Sequence, residues 1–114
     1  MGIPVSILRY AAAAALLIAP LPSSAQDAGD PSRGLNYARA HCAECHGVEV
    51  TTDNFSPDLN APDFSVVANT PGMTRRAIGV WLQTSHPTMP NLIIATEDRD
   101  DLAAYIMSLR KDPQ

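Results

Sequence analysis

The chain has 114 residues, with 12 acidic against 8 basic side chains and a net charge of −4. That length holds one domain, and the acidic balance argues against nucleic acid or an anionic membrane surface as partner. Two cysteines and five Phe, Tyr and Trp after residue 25 leave little material for a conventional core.

Residues 1–25 read as a secretory signal. Arg9 precedes the apolar stretch "YAAAAALLIAPLP", and "SSA" places small residues before a cut between Ala25 and Gln26. A retained anchor is the weaker reading, because a span needs about 20 apolar residues and Pro20 and Pro22 interrupt this run. Cleavage leaves one domain, 26–114, carrying seven basic and twelve acidic residues. A domain so small is marginal alone and needs a staple: a disulfide, a metal or a large cofactor.

After a short lead, "DPSRGLNYARAHC" predicts a helix, with Asp30 as N-cap and Pro31 at its first position. Leu35, Ala38 and Cys42 share one face. Gly34 inside that helix costs about 1 kcal/mol relative to alanine, which a close approach by another element would justify. Residues 47–62 are polar, with breakers at Pro57 and Pro62, and predict an extended loop. "PDFSVVA" predicts one or two helical turns, and "NTPGM" a turn. Residues 74–83 predict a helix capped by Thr74, with Ile78, Trp81 and Leu82 on one side. "TSHPTMPNLIIA" must be irregular around its two prolines.

"TEDRDDLAAYIMSLRKDP" carries the clearest helical period, through Leu102, Tyr105, Ile106 and Leu109. Thr96 is the expected cap and Pro113 the stop. Glu97 and Asp98 suit the N-terminal dipole, and Arg110 and Lys111 the C-terminal one. No stretch alternates as a strand should; "NLIIA" is the one ambiguous apolar run. The expected class is all-α, with about three to five helices and long loops.

The chemistry lies in "HCAECHG", residues 41–47. Cys42-x-x-Cys45-His46 is the attachment signal for c-type haem. Two thiols one helical step apart can each add to a haem vinyl group, and the next imidazole then lies at the iron. A thioredoxin-like pair would need a βαβ setting that the pattern lacks. A zinc site would need four ligands, drawn from Cys42, Cys45, His46 and either His41 or His86. A disulfide would leave His46 without a role.

Candidates for a second axial ligand are Met73, Met89, Met107, His41 and His86. Met107 falls in the last helix, and His41 in the attachment helix. Met73 follows a turn glycine. Met89, in the proline-stiffened "HPTMPN", is best placed to project a soft thioether toward iron.

These residues resemble the small class I c-type cytochromes of bacteria over nearly the whole of 26–114: Gly34, "CAECHG", "APDFSVVA", the Trp81 helix, "HPTMPN" and "DDLAAYIMSLR". The long polar segment 48–60 departs from that pattern. The resemblance implies a cytochrome c-like fold around one covalently attached haem c. It implies thioethers at Cys42 and Cys45, axial ligands at His46 and Met89, and first and last helices crossing where Gly34 meets Tyr105. It suggests that the second ring nitrogen of His46 donates to a loop carbonyl at Pro57. Trp81 would face a haem propionate or pack in the core, and Arg75 and Arg76 would neutralise a propionate or lie solvated. Functionally it implies a periplasmic carrier of single electrons, not an enzyme, between periplasmic or membrane-bound redox proteins, with no stable membrane insertion expected after signal cleavage. The alternatives are a haem subunit of a periplasmic dehydrogenase complex and a gas-binding haem sensor.

Overall fold

A computed structural model describes Gly2, residues 29–53 and residues 55–111. The expected leader, Gly2 aside, and its cleavage point lie outside the described residues, as does Pro113. Four helices form, α1 (Pro31–His41), α2 (Phe64–Ala68), α3 (Arg75–Trp81) and α4 (Thr96–Ser108). No strand forms among the described residues; "NLIIA" runs as irregular chain.

Helix α1 starts as its sequence dictates. The Asp30 carboxylate accepts from the N–H groups of Ser32 and Arg33, at 2.8 and 3.4 Å, and Pro31 opens the first turn. Thr74 caps α3 by accepting from Ala77 N–H at 3.1 Å. Between α2 and α3, Pro71 and Gly72 form a tight turn. Gly72 has φ +75°, and Met73 N–H donates to Thr70 O at 3.1 Å. Proline followed by a positive-φ glycine suits a type II turn.

Helix α4 packs on the other three, most extensively on α1. Its residues 101–106 are all buried, so it is the central element rather than an amphipathic surface helix. Leu102, Tyr105 and Ile106 join Ala38, Phe64, Ala68 and Ile78 in the core, and Leu109 packs at its edge.

Its ends differ from expectation. The cap position is Ala95, in extended conformation and making no side-chain bond, while Thr96 is already helical. Buried Ile94 anchors the preceding chain, so the backbone turns into the helix one residue early. At the other end α4 stops at Ser108, ahead of Arg110 and Lys111. These two instead tie α4 to the α2–α3 turn: Arg110 donates to Met73 O at 3.2 Å, and Lys111 N–H to Asn69 Oδ1 at 3.0 Å. Helix α3 likewise ends at Trp81, two residues short of the expected Gln83.

Gly34 marks the closest approach of α1 and α4. A Cβ there would collide with the Asp101 carbonyl group and lie 2.7 Å from Tyr105 Cβ. The expected crossing of first and last helices at Gly34 and Tyr105 is therefore present, and the glycine is required by space. Asp101, buried at the same crossing, accepts from Arg33 through Nε at 2.7 Å and Nη2 at 3.1 Å, and from Asp30 N–H at 2.5 Å. A buried carboxylate is tolerated when its lone pairs are satisfied in this way.

Candidate haem-binding site

The attachment motif folds as a continuation of α1. Cys42 N–H donates to Ala38 O at 2.8 Å, and His46 N–H to Cys42 O at 2.9 Å. Cys42 is buried and Cys45 half-buried, and both thiols are free. Burial pushes the Cys42 thiol up to about 11, so it is held protonated at neutral pH. No disulfide joins the two sulfurs. No group of three or more His, Cys, Asp or Glu suited to a metal ion occurs among the described residues, so His41 and His86 do not complete a zinc site with the motif.

The imidazole of His46 is held on one side. Its Nδ1 lies 2.8 Å from Pro62 O, and its ring lies 5.2 Å from that of Phe64. A carbonyl only accepts, so Nδ1 carries the proton and Nε2 keeps its lone pair for a metal. The expected acceptor was Pro57. The chain instead folds back between the two prolines, with Asp58 N–H bonded to Cys45 O at 3.2 Å and Phe64 N–H to Gly47 O at 2.9 Å. That closure brings the carbonyl of the second proline, Pro62, to the ring. Tyr105 fixes the motif's other flank: its hydroxyl donates to Val48 O at 2.5 Å in a buried setting.

Cys42, Cys45, His46 and Met89 all line one cavity of about 540 Å³. Its walls include Phe64, Val67, Ile78, Leu82, Ile94 and Ile106. The volume falls within the roughly 300–1,000 Å³ of cofactor pockets. Met73, His41 and His86 also reach this cavity, whereas Met107 does not line it. Met73 is packed against the buried core, and its carbonyl is held by Arg110. His41 lies against Tyr37, with ring centroids 4.4 Å apart, and His86 stacks on Trp81 at 4.6 Å. Met89 sits outside the core cluster in a turn closed by an isolated bridge to His86.

Trp81 lines the cavity and stands outside the core cluster, so its indole borders the haem site rather than packing among the core side chains. Arg75 and Arg76 are exposed on α3 and do not line the cavity. Ser56 and Asp63 carry contacts that residue type and period did not signal. Their bonds link residues seven apart, from the polar loop to the start of the segment predicted as helical turns.

A flat apolar group with a central iron suits this cavity. Its walls are hydrophobic, two unpaired thiols border it, and an imidazole of defined tautomer and a thioether are available there. The cytochrome c family model matches residues 32–110. The chain belongs to the cytochrome c family.

It is also 36% identical over 88 residues to cytochrome c-552 of Bradyrhizobium diazoefficiens, a match spanning 77% of this chain and 83% of that protein. No solved structure matches it. The fold is thus the all-α cytochrome c fold, and the cofactor is covalently bound haem c. With one C-x-x-C-H motif in the sequence, this is a monohaem cytochrome and an electron carrier rather than an enzyme.

Proposed function

We propose that Cys42 and Cys45 anchor the haem through thioether bonds, that His46 Nε2 and Met89 Sδ are the axial ligands, and that the cytochrome carries single electrons between periplasmic redox proteins. The observation that carries the assignment is the convergence of these four side chains on one apolar cavity, with His46 Nδ1 already committed to Pro62 O. Bound haem supplies the ferrous–ferric couple. The polypeptide contributes an apolar-lined cavity, the ligands, and a thioether that favours ferrous iron and raises the potential.

Export to the periplasm rests on the leader-like residues 1–25, ending in "SSA". No helix among the described residues is long and apolar enough to cross a membrane. N-terminal sequencing of the matured protein should begin at Gln26, and a chain retaining residues 1–25 would overturn that assignment. Electron carriage is tested by a redox titration: a single one-electron wave is expected, with rapid reduction by other c-type cytochromes.

One observation favours a second reading, a haem subunit held in a dehydrogenase complex. Ile93, which does not line the haem cavity, is fully exposed and lines a second hollow of about 250 Å³, where a stable partner would cover it. Size exclusion of native extract separates the readings, since a free carrier elutes at its monomer size.

A further inference from the structure

A closed circuit of bonds runs from His46 through the 56–63 loop and back. His46 Nδ1–H donates to Pro62 O at 2.8 Å. The next residue, Gly47, donates its N–H to Ser56 Oγ at 2.9 Å. Ser56 Oγ donates in turn to Asp63 Oδ1 at 2.5 Å, and Ser56 N–H donates to the same oxygen at 2.8 Å. Asp63 is joined by a peptide bond to Pro62, which closes the circuit. The Phe64 N–H to Gly47 O bond, 2.9 Å, braces it from the other side.

Asp63 is the telling member. It occupies the N-cap of α2, where an aspartate side chain ordinarily accepts from the second or third helical N–H. Here it makes no side-chain capping bond, and its carboxylate turns back to Ser56. The helix forgoes its cap while the loop gains a strut. Pro62 is exposed and has no N–H, so the position of its carbonyl depends on its neighbours.

We propose that Ser56 and Asp63 are positioning residues for His46: their hydrogen-bonded pair holds the Pro62 carbonyl against Nδ1 and so sets the orientation and basicity of the imidazole. This rests on the assignment of His46 as an axial ligand. A partner on the far nitrogen fixes the tautomer of a ligating histidine and raises its basicity. A more basic imidazole stabilises ferric iron, so loosening the strut should raise the midpoint potential.

The test uses full-chain holoprotein with Ser56→Ala, Ser56→Thr, Asp63→Ala and Asp63→Asn. Hydrogen exchange at His46 Nδ1, the hyperfine-shifted His46 ring resonances and the midpoint potential are measured together. Both alanine variants should speed Nδ1–H exchange by about three- to tenfold, the local-opening factor expected for one lost hydrogen bond, and should raise the potential. Ser56→Thr keeps the hydroxyl and Asp63→Asn keeps the acceptor oxygen, so both should exchange like the unaltered protein. Unchanged exchange and ring shifts in both alanine variants would overturn the proposal, and if Asp63→Asn then moved the potential as far as Asp63→Ala, charge alone would be the cause. A second measurement needs no variant: the Gly47 amide and His46 Nδ1–H share one circuit and should show matching protection, and unrelated protection would overturn the proposal. Absence of a hyperfine-shifted His46 ring in the unaltered protein would overturn the ligand assignment and the positioning role with it. A shifted ring indifferent to Ser56 and Asp63 would overturn the positioning role only.

Discussion

Gly34 on α1 lies directly against the main chain of Asp101 on α4: a Cβ at position 34 would collide with the Asp101 carbonyl group. Backbone does not yield as a flexible side chain does. Gly34→Ala should therefore destabilise the holoprotein by at least the roughly 1–3 kcal/mol typical of overpacking. Gly79, inside α3, is the control, since a Cβ there meets nothing within 4 Å. Gly79→Ala should stabilise by about 0.5–1 kcal/mol. Denaturant titration of both variants checks the contrast, and equal effects would contradict the crossing geometry.

Tyr105 extends the same contact to the haem motif through its hydroxyl bond to Val48 O. Tyr105→Phe keeps the ring and leaves a buried carbonyl unpaired. A loss of about 1–3 kcal/mol is expected, read from the denaturation midpoint at unchanged slope.

The Arg33–Asp101 pair gives a pH dependence of defined sign. The hydrogen bonds from Arg33, and then that from Asp30 N–H, hold the Asp101 carboxyl below its ordinary value of 3.8. The folded value is lower than the unfolded one, so the unfolded chain takes up the proton first. The stabilisation is therefore complete above about pH 4 and is lost as pH falls through the depressed folded value. Calorimetry should find the Tm gap between unaltered protein and Asp101→Asn constant near neutrality and shrinking in acid. A gap independent of pH would contradict the assignment.

Removing the anchors should separate covalent attachment from folding. Cys45→Ala retains the buried Cys42 and should keep haem through one bond, whereas the Cys42→Ala, Cys45→Ala double variant should release it to acidic organic solvent. Without the cofactor the cavity of about 540 Å³ would lie at the centre of a domain with few large core side chains. The haem-free chain should therefore unfold at much lower denaturant, checked by far-UV circular dichroism.

Much of this was legible in the sequence because local chemistry specified it. Asp30 and Pro31 announce α1, and the Leu102–Tyr105–Ile106 period announces α4. A glycine in mid-helix announces a close neighbour, and "CAECH" announces the cofactor. Periodicity could not resolve the loops. Pro57 and Pro62 could each offer its own carbonyl to His46, and the choice depends on bonds from Ser56 to Asp63 that leave no spacing signal. Thr96 is a better cap by residue type than Ala95, yet burial of Ile94 decides where the helix begins. Trp81 follows Ile78 at helical spacing, but the chain turns back after α3 and sets His86 on its indole instead of a core neighbour.

The central claim is that His46 and Met89 close the iron on both faces. Its most direct test is the optical spectrum of the matured protein, ferric and then reduced, before and after carbon monoxide, beside that of Met89→Ala. The account predicts a ferric methionine–iron charge-transfer band and a reduced spectrum that carbon monoxide leaves unmoved, with Met89→Ala losing the band and binding the gas. A ready carbon monoxide shift in the unaltered protein, or a band that survives Met89→Ala, would contradict it.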